Sequence, residues 1–392
     1  MTDLLQRFKA TRARTCALCK PLTVEDHQVQ SMPDASPVKW HLGHTTWFFE
    51  ALVLGVRDPE RCYLFNSYYE DVGKRIDRAR RGTMSRPSLD DVHAYRKEVD
   101  SRVEDLFESL PHDLLELGIN HEQQHQELIL TDVKHMLGTQ PLRPAYRSGL
   151  EPAASEDSND RVWRSFEGGV IEIGTDEEFS FDNERPRHRV VVESFQIASR
   201  SVTNADVQHF IADGGYHDPV HWLADGWATA RAESWEVPLY WEDNTQYTLA
   251  GVRLVDPSAL ACHLSFYEAD AIARWSGARL PTEAEWELAA ANSDPDLGNF
   301  ADDDHLHPGG GTSMFGDVWV WTRSAYAPYP GFRAPPGAVG EYNGKFMSGQ
   351  QVLRGGSCLT PRGHVRASYR NFFPPHTRWQ MSGVRLARDG AA

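Results

Sequence analysis

The sequence predicts an α+β protein in two parts: an N-terminal four-helix bundle over residues 1–147, a polar linker at 148–162, and a strand- and loop-rich domain over 163–392. Three observations carry this. Helix start and stop signals fill the first third of the chain. The stretch RSGLEPAASEDSNDR at 147–161 is polar and turn-rich, as exposed connecting chain is. Beyond it the texture changes to short alternating apolar runs, frequent Gly and Pro, and most of the Trp residues. A chain of 392 residues is also too long for one ordinary core.

The bundle elements follow in order. MTDLLQRFKATRART is a charged amphipathic stretch. Ser36 followed by Pro37 is a cap with proline at the first helical position, and the run from Val38 to Leu54 stops at Gly55. Ser88 with Asp91 three residues later opens an amphipathic run through Tyr95, Val99, Val103 and Leu106. A further helix runs from about Asp113 through HEQQHQELILTDVKHML to Gly138. Four long helices suit an antiparallel bundle. In the second part, GGVIEIG and RHRVVVESFQIA read as strands, and helices are expected at 204–212 and 267–276.

Composition excludes several classes. The net charge of -16 would repel a phosphate backbone, so nucleic acid is not an expected partner. The N-terminal stretch lacks the apolar core of a signal peptide, and no apolar run approaches bilayer length, so a soluble cytoplasmic protein without a membrane partner is expected. Five scattered cysteines are too few for a disulfide framework, and the CxxC of Cys16 and Cys19 has no second pair to complete a zinc site.

The chemistry concentrates in NHEQQHQELIL. His121 and His125 lie four apart, so on a helix both imidazoles leave one face about a turn apart and can share a metal. Leu128 and Ile129 continue near that face, which should therefore look into the bundle. A second helix carries His44 in WHLGHTTWFFE, an apolar context where an unpaired histidine is costly. His41 sits three residues earlier and competes with it on sequence grounds. His135 is ten residues past His125, roughly 15 Å along a helix, too far for the same metal. The expected ligands are His44, His121 and His125. HEQQH also matches the HExxH of zinc metallopeptidases, in which Glu is the general base. A lectin-like binding module with a structural metal is the non-enzyme alternative. Three neutral imidazoles leave coordination positions open and keep the full dication charge, which favours iron that must hold a thiolate and O2 together.

Longer motifs carry a family resemblance. They are SMPDASPVKWHLGHTTWFFE, FNSYYE, RRGTMSRPS, HEQQHQELILTDVKH, FDNERPRH, ARLPTEAEWELAA, FGDVWVWT, YPGF with GEYNGKFM, VLRGGSC and SYRNFFPPHTRWQMSGVRLA. The N-terminal part resembles the DinB-like helical bundle. The C-terminal part resembles the formylglycine-generating-enzyme-like (sulfatase-modifying-factor) fold, a variant related to C-type lectins. Their pairing resembles the ergothioneine-pathway sulfoxide synthases, or hercynine oxygenases, with their selenoneine synthase branch. Formylglycine generation itself is not expected, because only Cys358 follows the RGGS turn and no partner cysteine comes after it.

The resemblance implies iron(II) held by His44, His121 and His125, with hercynine and O2 as substrates. It implies hercynine contacts at Gln124, Asn371 and Phe372. A trimethylammonium group is held by aromatic faces and its carboxylate by amides or cations, for which Arg370 and Arg378 are further candidates. It implies a proton and electron donor at Tyr68 or Tyr69, a phenol that keeps the reaction on C–S bond formation rather than thiol dioxygenation. It also implies that Arg78 and Arg81 hold the carboxylate of the chalcogen donor. Two departures stand out: Val320 replaces the family's usual Glu, and Phe373 stands where the γ-glutamylcysteine subtype has an acid. The second points to a smaller donor, either cysteine or a selenosugar, which the metal motif does not separate.

Overall fold

The computed structural model describes residues 2–154 and 161–390, so residues 155–160 of the expected linker lie outside the described residues. The chain forms two compact units: Met1–Arg147 with Pro335–Tyr342, and Ser148–Ala334 with Asn343–Ala392.

The first unit contains α1 (Thr2–Cys19), α2 (Val38–Phe48), α3 (Pro59–Phe65), α4 (Leu89–Leu106) and α5 (His112–Thr139). The four long ones are those that the punctuation predicts. At the start of α4 the Ser88 hydroxyl accepts the Asp91 amide at 3.1 Å and the Asp91 carboxylate accepts the Ser88 amide at 2.9 Å, a reciprocal cap. Behind Pro37, α2 runs into a π-helical turn at Phe49–Val53 and stops at Gly55, whose φ of +68° suits glycine. The short α3 was not foreseen, although Asp58 caps it at the Arg61 amide and Pro59 opens it. α1 packs on α5, and α2 packs on both α4 and α5. Leu42, Trp47, Phe48, Val99, Leu115 and Ile129 are buried between them, each contributing roughly 1.5–3 kcal/mol of transfer free energy.

The second unit carries the strands β1 (Trp163–Phe166), β2 (Gly169–Ile173), β3 (His188–Val192), β4 (Phe195–Ser201), β5 (Trp241–Glu242), β6 (Thr245–Thr248), β7 (Gly251–Leu254), β8 (Trp319–Ala325), β9 (Gln351–Arg354), β10 (Asn371–Phe373), β11 (Ser382–Gly383) and β12 (Arg385–Asp389). They form small sheets ordered β1-β4-β12, β10-β9-β8-β11, β2-β3 and β5-β6-β7. Four helices join them: α6 (Asn204–Ala212), α7 (Ala224–Ala232), α8 (Phe266–Trp275) and α9 (Glu283–Ala290). The sequence reading anticipates α6 and α8 and passes over α7 and α9. For α9 the signal was present, because Thr282 and Glu285 form a capping box. The start of the polar segment is docked, with Leu150 buried and its carbonyl accepting from Arg253. No described helix is long and apolar enough to cross a membrane.

Candidate metal centre

α2 and α5 bring His44, His121 and His125 together. One ring nitrogen from each lies within 4.8 Å of the others, and all three residues are buried. His44 Nε2 is 3.2 Å from His121 Nε2, and the His125 ring centre is 4.6 Å from each of the other two. His44 donates from Nδ1 to the Phe65 carbonyl at 2.6 Å, which leaves the Nε2 lone pair facing its neighbours. Burial is the main cause that pushes all three imidazoles well below the usual histidine range, and the neighbouring histidines add to it. The rings are therefore neutral, as ligands must be. His44 Nε2 faces His121 Nε2 at 3.2 Å, a contact filled either by a proton on His121 Nε2 or, with that proton on Nδ1, by a cation, and three such neutral nitrogens make a donor set that fits a divalent metal.

The rings are braced on their outer faces. Trp40 stacks on His44 at 4.5 Å between centroids, and the Arg81 guanidinium lies 3.4 Å from the centroid of the same indole, so Trp40 contacts both the cation and His44. Phe48 stacks on His121 at 4.2 Å. Arg81 is buried, bonded through Nη1 to Ser36 Oγ, and its Nε has no partner, whereas Arg78 is exposed.

Of His41 and His44, it is His44 whose ring nitrogen lies with those of His121 and His125. His41 lies outside the ligand group, with Nδ1 2.8 Å from His125 Nδ1 and Nε2 3.0 Å from Asp132 Oδ2. His135 is likewise outside it and bonds Ser31 Oγ at 2.7 Å.

Glu122 faces elsewhere. Its carboxylate, fully buried, accepts from Arg12 Nη1 at 2.8 Å, from Thr15 Oγ1 at 2.6 Å and from Arg96 Nη2. Although burial alone would raise it, Arg12 and Arg96 hold the carboxyl down to about 2. A carboxylate ionised this strongly, with both oxygens occupied, cannot serve as the general base that an HExxH hydrolase requires.

Three tyrosines gather in the same unit. Tyr68 and Tyr69 pack ring to ring at 4.6 Å, and the Tyr69 hydroxyl is 3.5 Å from that of Tyr68. The Tyr68 hydroxyl donates to the Tyr342 carbonyl at 3.3 Å. Tyr342 stands edge-on to His121 with 5.8 Å between ring centres, and its hydroxyl donates to Gln124 Oε1. Residues 335–342 are held on this unit by Glu341, whose carboxylate accepts the amides of Glu70 and Asp71 at 2.9 Å each. The sequence reading quoted GEYNGKFM but did not single out Tyr342. Nothing local marks it, since its partner Gln124 is 218 residues away.

In the second unit, taken by itself, Phe372 stacks on Tyr326 at 4.0 Å and 11°, and the Asn371 side-chain oxygen accepts the Phe372 amide. Arg370 is committed to Glu283 and lies over Tyr329; Arg378 is committed to Glu268 and lies over Trp235. Both arginines therefore act in buried ion pairs. Val320 is buried in β8, opposite Arg354 of β9. The five cysteines are free thiols.

Known proteins resemble the chain along its whole length. The DinB superfamily model matches residues 7–139, and the sulfatase-modifying factor enzyme 1-like domain matches 149–311 and 307–390. The hercynine oxygenase of Mycolicibacterium smegmatis is 32% identical, with 98% of each chain covered. That of Mycobacterium tuberculosis is 32% identical over 96% of each. Ergothioneine biosynthesis protein 1 of Schizosaccharomyces pombe is 27% identical over 54% of this chain and 28% of its own.

Proposed function

Because the chain belongs to the hercynine oxygenase family of ergothioneine-pathway sulfoxide synthases, we propose that it is a non-haem iron(II) enzyme that uses O2 to form a C–S or C–Se bond at the imidazole carbon between the two nitrogens of hercynine. The observation that carries the reading is the cluster of three buried, neutral imidazoles with ligand atoms within 4.8 Å of one another. His44, His121 and His125 would hold the iron. Bound there, iron(II) would supply O2 activation and a Lewis-acidic seat for the chalcogen, because three neutral ligands leave its charge and several positions available.

The chain's own groups do the rest. Tyr342, edge-on to His121, and the Tyr68–Tyr69 pair beside it deliver a phenolic proton, and Gln124 orients the Tyr342 hydroxyl. Gln124 contributes its amide to hercynine. Asn371 offers an amide for the betaine carboxylate, and Phe372 with Tyr326 an aromatic face for its trimethylammonium group. Arg78 and Arg81 receive the donor's carboxylate, Arg81 being one indole away from His44. Phe373 in place of an acid favours cysteine or a selenosugar over γ-glutamylcysteine.

The test is O2 uptake by iron-loaded protein with hercynine, in competition among cysteine, γ-glutamylcysteine and a selenosugar, with products read by mass spectrometry. Hercynine-dependent uptake with a new C–S or C–Se product is expected. Activity with zinc alone would overturn the proposal.

A further inference from the structure

His41 and Asp132 remain without a role. Both are buried, and together they extend from a ligand histidine: His125 Nδ1 to His41 Nδ1 at 2.8 Å, then His41 Nε2 to Asp132 Oδ2 at 3.0 Å. The same Asp132 oxygen accepts the Ser36 amide at 2.9 Å, and Ser36 Oγ in turn receives Arg81. With Asp132 ionised, Oδ2 accepts from His41 as it does from Ser36, and the His41 proton then sits on Nε2. His41 Nδ1 then carries a lone pair. The 2.8 Å contact needs one proton, which belongs to His125 Nδ1, and His125 Nε2 is left proton-free. The ionised Asp132 and this series of hydrogen bonds thus select the tautomer in which His125 can be a ligand.

We propose that Asp132 and His41 are positioning residues for the metal centre: in series they fix the tautomer and ring orientation of His125 and strengthen Nε2 as a donor. The arrangement has the form of a carboxylate–histidine–ligand series, with a second histidine inserted between carboxylate and ligand. His44 is oriented by a backbone carbonyl and His121 has no partner on Nδ1, so the three ligands differ in what supports them. Among the described residues, His125 is the one of the three whose ring hydrogen-bonds a side chain outside the trio. The proposal rests on the reading that these histidines hold a divalent metal.

The experiment measures affinity of the full-length protein for Fe(II) and Co(II) by chelator competition, together with the visible ligand-field absorption of the Co(II) form. The variants are Asp132→Ala, Asp132→Asn, His41→Phe and His41→Gln, with His125→Ala as control. Asp132→Ala and His41→Phe should weaken binding roughly 10- to 100-fold and shift the Co(II) bands. His41→Gln, which keeps an acceptor for the His125 N–H, and Asp132→Asn, which keeps one for the His41 N–H, should recover part of the loss. Wild-type affinity in Asp132→Ala and His41→Phe, with binding abolished in His125→Ala, would overturn the positioning role alone. Equal loss in His41→Phe and His41→Gln would also overturn it, by reducing His41 to packing. Undiminished binding in His125→Ala would instead sink the metal assignment itself.

Discussion

Glu122→Gln is the substitution that best separates the two readings of HEQQH. The carboxyl sits at about 2, where an unperturbed glutamate has 4.5, so its partners favour the charged form by about 2.5 pKa units. At 1.36 kcal/mol per unit this is about 3 kcal/mol, close to the 3–5 kcal/mol typical of removing one partner from a buried ion set. Glutamine keeps the shape and one acceptor but loses the charge. Arg12 retains Asp100 at 2.6 Å, while Arg96 loses its carboxylate acceptor. The urea midpoint of the helical circular dichroism signal should therefore fall by an amount equivalent to about 3 kcal/mol at unchanged slope.

Turnover per bound metal should change by less than about twofold, because Glu122 touches no ligand nitrogen; a general base would cost roughly 10²–10⁴-fold. The pH dependence has a fixed sign. A depressed carboxyl pKa stabilises the fold above about 4.5, and that stability is lost as pH falls toward about 2. The variant's acid limb should be flatter in that window. An unchanged midpoint with turnover reduced a hundredfold would refute the reasoning.

Three other outcomes follow from the geometry. A Cβ at Gly43 would come within 2.2 Å of the Phe65 ring, whose backbone carbonyl holds His44, so Gly43→Ala should cost about 1–3 kcal/mol by overpacking and weaken metal binding; unaltered affinity would count against the Phe65 brace. Tyr342→Phe should retain metal stoichiometry yet lower coupled product by roughly 10²-fold and divert turnover to oxidised donor, with smaller diversions in Tyr68→Phe and Tyr69→Phe; unchanged product ratios, read by mass spectrometry, would remove the phenols from the chemistry. Stripping the metal with a chelator should lower the melting temperature of the helical signal, since free metal at 100 times Kd contributes about 2.7 kcal/mol; a metal-independent melt would refute a ligand set formed only in the folded state.

The bundle was legible because its long helices carry periodic apolar positions, although of α2, α4 and α5 only α4 is opened by a side-chain cap. The pairing of His121 with His125 was legible because four-residue spacing is a local property, and the apolar setting marked the helix of His41 and His44 as its partner. Sequence left His41 and His44 open, because the choice depends on which one meets Asp132 across the bundle, 91 residues away. Tyr342 was missed for the same reason. The short α9 was overlooked despite its capping box, and α7 carries no side-chain cap at all. The arginines at 370 and 378 looked like candidate anion binders, and only their buried partners, Glu283 and Glu268, show them to be structural.

The motif on α5 has no chemistry of its own until its neighbours are placed. His121 and His125 turn to His44, Gln124 turns to the Tyr342 hydroxyl, and Glu122 turns to Arg12 and Arg96, which lie 110 and 26 residues away. A peptidase needs that glutamate free beside a metal-bound water, and here two buried guanidinium groups hold it on another face. Removing the arginines would not release it for catalysis. An unpaired buried carboxylate raises its pKa and becomes neutral, so an Arg12→Met, Arg96→Met double variant should lose stability and acquire no hydrolase activity. Peptide hydrolysis by that variant loaded with zinc would show that charge pairing, rather than the direction Glu122 takes from the helix, is what excludes it from the metal.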